Sequence, residues 1–342
     1  MNASVLPWLR ESWLQLQQLR ACLPHAILFY GPEGIGKTGF VEMFAQSLLC
    51  ENAQADGHAC GACASCGWFS QYNHPDYRRV RPEILDGGEA AEDGDSEEKK
   101  TARAGKVFSK EIRIDQIRAL ADFMNVSTHR SGMRVVVLYP AEALNAAAAN
   151  ALLKTLEEPP PNTMFLLIGN RLDRLLPTVL SRCSKFALAL PSRAASLAWL
   201  RQQNIEDADV WLAEQGGAPL AALDASQSDS RAVMDEFLRA LSHPGIDIAL
   251  KTAERLQKIP LVDLVGWQQR WLYDVFALQS GGAIRYYPRY SKELGALNGR
   301  IEAAAIAAAL KAANARRAIA DHPLSARLFI EEMLLEYATL FA

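Results

Sequence analysis

The sequence predicts a parallel α/β domain followed by an all-helical half, and three observations carry that reading. Short apolar runs alternate with helical periodicity between residues 25 and 190, a glycine-rich loop joins the first run to a helix, and the strand signal vanishes beyond Pro191. The 342 residues suffice for two to three domains at roughly 150 residues each. Half of the residues are hydrophobic and 22% are charged, which excludes a disordered chain. With 36 Lys+Arg against 39 Asp+Glu the net charge is −3, which excludes a globally basic nucleic-acid coat and makes any DNA contact local or shared with partners. No stretch approaches the roughly 20 apolar residues that span a bilayer. Arg10 and Glu11 stand where an export signal would be apolar, so a cytoplasmic location is expected.

Taken in order, residues 25–30 form an apolar, aromatic-rich run that reads as a buried parallel strand. Residues 31–38 are the glycine-rich loop, and 39–49 have helical periodicity. A cysteine cluster follows, and then residues 86–98, which hold seven acids and three glycines with no Lys or Arg. Such a stretch cannot bury itself, so residues 86–110 read as a mobile surface loop. Residues 112–124 read as a helix with Ile117, Leu120, Ala121 and Met124 on one face. Residues 134–139 and 164–168 read as the second and third strands. Between them Asn145 caps a helix that runs through Glu157, with Leu152, Leu153 and Leu156 inward and the prolines at 159–161 ending it. Residues 192–222 read as a small helical module, and from about 229 the chain is almost wholly helical. Trp267 and Trp271 recur at helical spacing, which favours packing over base stacking.

The loop supplies the first candidate site. Gly31, Pro32, Glu33, Gly34, Ile35, Gly36, Lys37 and Thr38 match the phosphate-loop pattern, with the strand before and the helix after that the pattern requires. Its backbone N–H groups and the helix N-terminus suit phosphate, Lys37 suits the β- and γ-phosphates, and Thr38 suits Mg²⁺. Nucleotide binding, as ATP with Mg²⁺, is therefore expected. Hydrolysis is a separate matter, because a phosphate-loop ATPase also needs an acid at a neighbouring strand end. Here the second strand meets Tyr139 and Pro140, and Glu142 is displaced along the chain. The expectation is a site that binds nucleotide and turns it over poorly.

The cysteines supply the second. Cys50, Cys60, Cys63 and Cys66 offer four thiolates with paired short spacings, the set for a structural zinc, while Cys22 and Cys183 stand alone. A chain without an export signal disfavours a disulfide framework. Unliganded buried thiols and an iron–sulfur cluster are the alternatives, and His58 and His74 read as surface or hydrogen-bonded histidines rather than ligands.

Together, His25-Ala-Ile-Leu-Phe29 before the loop, the four-cysteine insertion, Ile114-Asp-Gln-Ile-Arg118, Ala149-Asn-Ala-Leu-Leu-Lys-Thr-Leu-Glu-Glu-Pro-Pro160 and Leu180-Ser-Arg-Cys183 resemble the bacterial clamp-loader subunits of DNA polymerase III. The resemblance covers residues 5–225, and residues 149–160 with the Ser181-Arg182-Cys183 triplet are its most specific parts. It implies an AAA+ P-loop parallel-sheet domain over 1–190 with a zinc insertion at 50–66, a small helical lid domain over 191–228, and an all-α collar domain over 229–342. The family's motor subunits, gamma and tau, carry an Asp-Glu pair where this chain has Tyr139 and Pro140, and an arginine in the lid motif that matches Gly217-Ala-Pro-Leu220, which has none. Both departures resemble the delta-prime branch, whose members are described as stators that do not hydrolyse ATP. That resemblance implies assembly with gamma/tau and delta, action on a sliding clamp and primed DNA through the complex, and no membrane. It also implies that Arg182 is a finger supplied in trans to a neighbour's ATP, and that Asn170 sits at a γ-phosphate sensor position. The competing reading is a self-sufficient gamma-like or tau-like motor in which Glu142 replaces the missing acids. A stand-alone zinc-dependent DNA-binding module is disfavoured, since the cysteine segment lacks a basic recognition helix.

Overall fold

A computed structural model describes residues 5–86, 108–125, 128–129, 132–228, 230–320 and 325–341. The acidic run expected to be a mobile loop lies for the most part outside the described residues. The chain divides into two compact units, residues 1–190 and 191–342.

The first unit is built on five parallel strands: β1 (Ala26–Tyr30), β2 (Tyr77–Val80), β3 (Arg134–Leu138), β4 (Thr163–Gly169) and β5 (Ser184–Ala187), in the order β2-β3-β4-β1-β5. The register sets Leu28 beside Leu167 and Val136 beside Phe165. The three interior strands are the continuous apolar runs that a sheet covered on both faces demands. The edge strands β2 and β5 were not expected. Arg78 and Arg79, and Ser184 and Lys185, break the apolar run in each, as edge strands permit.

Each face has its own cover. On one, Leu28, Val136, Leu138 and Leu167 pack with Leu120 of α5 (Ile114–Asn125) and Leu152 and Leu156 of α6 (Ala146–Glu157). Asn145 caps α6 as expected, its side chain accepting from the Ala148 N–H. The inward face of α5 differs at one position: Ala121 is exposed and Phe123 is the residue that packs against the core. On the other face, Phe29 meets Phe40 and Phe44 of α2 (Lys37–Leu49), which in turn meet Trp13 of α1 (Arg10–Gln18) edge-on. Among the described residues the remaining α-helices of the unit are short: α3 (Ala64–Ser70), α4 (Glu83–Asp86) and α7 (Pro177–Leu180).

Among its described residues the second unit is helical throughout, with two separate cores. Leu200 of α8 (Arg193–Gln202), Trp211 and Leu212 of α9 (Ala208–Glu214) and Ala222 of α10 (Pro219–Gln227) form the smaller. The module runs past the expected residue 222 to Gln227, because Pro219 opens α10 at the first-turn position where its missing N–H costs nothing. The larger core gathers α11 (Ser230–Ser242), α12 (Ile246–Leu256), α13 (Leu261–Gln279), α14 (Ser291–Leu297), α15 (Ala303–Ile319) and α16 (Ala326–Thr339) around Phe237, Trp271 and Ile330. Trp267 and Trp271 are packed there, and the Trp271 indole N–H donates to the Tyr337 hydroxyl at 2.9 Å.

Buried charges tie these helices together. Glu214, 1% exposed at the end of α9, accepts two hydrogen bonds from Arg231 Nη2 at 3.0 and 2.9 Å, and that guanidinium lies 3.5 Å over the Trp211 ring. Burial still raises the Glu214 pKa above the usual carboxylate value, against the pull of Arg231. Asp274 is fully buried in α13, and its two oxygens accept the backbone N–H groups of Arg285, Tyr286 and Tyr287 at 2.7–3.1 Å. A single carboxylate thus fixes the non-helical stretch that follows α13.

Candidate functional site: a phosphate loop and a four-cysteine knuckle

The loop 31–38 leaves β1 at the carboxyl end of the sheet and enters α2, so its N–H groups gather where the helix dipole is positive. Geometry requires glycine within the loop. A Cβ on Gly31 would stand 2.1 Å from the Leu188 carbonyl oxygen, and Gly36, the residue before α2, has φ 91°. Ile35 is fully buried, and its carbonyl accepts the Trp8 indole N–H at 2.9 Å. Lys37 is 5% exposed and its Nζ donates to the Pro32 carbonyl at 2.5 Å. Burial lowers its pKa to about 8, and the carboxylates of Glu33 and Glu142 pull the other way.

Glu142 lies four residues past the end of β3. A 3₁₀ turn, Ala141–Ala143, brings it back to the site, where Oε1 and Oε2 accept the Asn170 backbone N–H at 3.0 and 3.2 Å. Distance along the chain concealed this, and only the β3–β4 register discloses it. Tyr139, in contrast, turns to the β2 side: its hydroxyl accepts from Arg81 Nη1 at 3.3 Å, and burial raises its pKa. The Tyr139–Pro140 peptide is cis. Arg182, just past α7, is ion-paired with Glu157, the last residue of α6, and its Nη1 donates to the Thr178 carbonyl at 2.9 Å. Within this chain Arg182 therefore lies apart from the loop 31–38 in contacts as well as in sequence.

The four cysteines converge as their spacing predicts. Their sulfurs all lie within 4.8 Å of one another, with Cys50 to Cys63 at 3.9 Å and Cys60 to Cys66 at 4.0 Å. A tetrahedron with Zn–S bonds of about 2.3 Å has edges of about 3.8 Å, so the donor set fits a four-coordinate metal. Backbone N–H groups point at the sulfurs: Cys60 to Cys50, Ala62 and Cys63 to Cys60, and Cys66 to Cys63, at 3.2–3.5 Å. These bonds favour thiolate, and the N–H groups of Ala62 and Cys63 draw the Cys60 pKa down to about 6. Burial raises those of Cys50 and Cys66.

Both spare histidines are otherwise engaged. His58 stacks on Trp13 at 4.4 Å, and the fully buried His74 accepts the Asp76 backbone N–H on Nδ1. The cysteine segment is pinned to α1 and α2, since Trp13 Nε1 donates to the Asp56 carbonyl at 3.1 Å and Arg20 donates to the carbonyls of Ser47 and Gly57.

A parallel sheet ordered in this way, a phosphate loop after its first strand, and trailing helical modules define an AAA+ P-loop protein carrying a four-cysteine insertion. The chain belongs to the DNA polymerase III delta-prime family. The family model described as DNA polymerase III, delta subunit, matches residues 11–192. DNA polymerase III subunit delta' of Pseudomonas aeruginosa is 38% identical over 284 residues, 81% of this chain and 79% of that one. The Yersinia pestis subunit delta' is 34% identical over 285 residues, 77% of each chain. Among solved structures, a gamma subunit-related protein of DNA polymerase III from Thermotoga maritima shares 16% identity at a TM-score of 0.42, covering 97% of this chain and 99% of that one.

Proposed function

We propose that the chain is the delta-prime stator of a clamp loader, assembling with gamma/tau and delta subunits so that the complex places a sliding clamp on primed DNA. In this reading it is a component of a DNA polymerase holoenzyme, a nucleotidyltransferase complex, rather than an ATPase in its own right. One observation carries it: a complete phosphate loop stands beside a strand end that holds Tyr139 and Pro140 instead of carboxylates. Gly31 to Thr38 would bind ATP, Lys37 its β- and γ-phosphates, Thr38 its Mg²⁺, and Asn170 would lie at the γ-phosphate end. With no acid at 139 or 140 to orient water, turnover stays low. Cys50, Cys60, Cys63 and Cys66 would hold one structural zinc that closes an insertion with no core of its own. Residues 191–228 serve as lid and 229–342 as collar, and DNA is met through the assembled complex. Among the described residues no helix is long and apolar enough to cross a membrane.

Arg182 would act in trans. A guanidinium is a permanent, planar cation matched to phosphate, and a finger of this type stabilises charge developing on a neighbour's γ-phosphate.

The test is ATP binding and steady-state hydrolysis by the purified chain alone, and by the chain mixed with gamma and delta subunits. Binding without turnover alone, with turnover in the mixture that Arg182→Ala reduces, is the expected result. Brisk hydrolysis by the isolated chain would instead support a gamma-like or tau-like motor. The hydrogen bond of Glu142 to the Asn170 N–H and its electrostatic pull on Lys37 favour that second reading, and Glu142→Gln would then abolish the isolated chain's turnover.

A further inference from the structure

The Arg182 guanidinium is not left to wander. Its Nη1 donates to the Thr178 carbonyl at 2.9 Å and to Ser181 Oγ at 3.3 Å, and its Nη2 is ion-paired with Glu157. Glu157 closes α6, so its carboxylate adds to the negative end of that helix, and the side chain is half exposed. An exposed pair of this kind adds almost nothing to stability. Its effect is on conformation. A long arginine side chain free in solvent samples many rotamers, and a transition-state contact forms only in the few that place the fork correctly.

We propose that Glu157 is a positioning residue for Arg182: it holds the guanidinium, with N–H donors still uncommitted, in the attitude in which a neighbouring subunit's γ-phosphate meets it. The inference rests on the trans-finger reading above and adds to it a residue that acts through the Arg182 guanidinium. Pinned between Thr178 and Glu157, the cation can take a phosphate oxygen without first being ordered, which is the preorganisation that speeds a chemical step.

The pairing also has an electrostatic side. Without Arg182, Glu157 would present a bare carboxylate to an incoming polyphosphate. Without Glu157, Arg182 keeps its charge and loses only its placement. The two losses are therefore unequal, and they are not additive, because Glu157 acts through Arg182.

The experiment is steady-state ATP hydrolysis by the complex reconstituted with gamma and delta subunits, using Glu157→Ala, Glu157→Gln, Arg182→Ala and the double variant, each first checked for assembly by gel filtration. Glu157→Ala is expected to lower kcat about tenfold with KM for ATP unchanged. Glu157→Gln, which still accepts a hydrogen bond, should recover part of that loss, and the double variant should be no slower than Arg182→Ala. An unchanged kcat in Glu157→Ala, with Arg182→Ala impaired, overturns the positioning role and leaves the finger standing. A double variant slower than Arg182→Ala overturns it as well, since Glu157 would then act on its own. An unimpaired Arg182→Ala complex overturns the finger and the positioning role together.

Discussion

Lys37 is held under opposing influences, burial favouring its neutral amine and the carboxylates of Glu33 and Glu142 favouring the ammonium, with the balance at about 8. Bound phosphate stabilises only the charged form. Below pH 8 the lysine is charged both free and bound, so affinity for ATP is flat. Above pH 8 binding must take up a proton, and affinity falls by up to about tenfold per pH unit. Titration calorimetry from pH 6.5 to 9.5 checks this, and Lys37→Met should bind weakly with no such slope. Asp274 makes a different prediction, because both of its oxygens face backbone donors. Asp274→Asn turns an NH₂ group toward those donors and should destabilise the protein by about 2–3 kcal/mol, read by urea unfolding. Residues of this second kind were invisible in the sequence. Lys37 and the four cysteines announce themselves by spacing within one short segment. Glu214 and Asp274 acquire their meaning only from partners on other elements, as do the contacts of Glu142 with Asn170 and of Glu157 with Arg182.

At the scale of elements, legibility followed burial. Strand β1, β3 from Val135 and β4 from Met164 are unbroken apolar runs and stand out, whereas paired polar residues, Arg78 and Arg79 or Ser184 and Lys185, interrupt the edge strands β2 and β5, which carry little signal. The cap at Asn145 was readable because capping is local chemistry. The cysteine segment tests whether an element without a core depends on its metal. We expect one zinc per chain by elemental analysis. Chelation should raise hydrogen exchange across residues 50–66 and at the N-terminal segment docked to it through Trp13 of α1 and Arg20 just beyond, and leave the larger C-terminal core unchanged. Cys60→Ser should lose the zinc and show the same pattern without chelator.

At the scale of the whole molecule, the phosphate loop belongs to residues 1–190. Ligand binding raises the stability of whatever folds to make the site and of nothing else. In a calorimetric scan, saturating ATP should therefore move the transition of the first unit upward by several degrees and leave that of the second where it was. A shift of both would mean that the nucleotide is held by both units.

The strand order also governs how the chain comes off the ribosome. Strand β1 has neighbours on both sides, yet its partners β4 and β5 are synthesised more than a hundred residues after it. At about 5–20 residues per second the nascent Ala26–Tyr30 waits on the order of ten seconds with both edges unpaired. During that interval the knuckle at Cys50–Cys66 is a piece that can close from local sequence alone, and β1 is the apolar segment most in need of a chaperone's shelter.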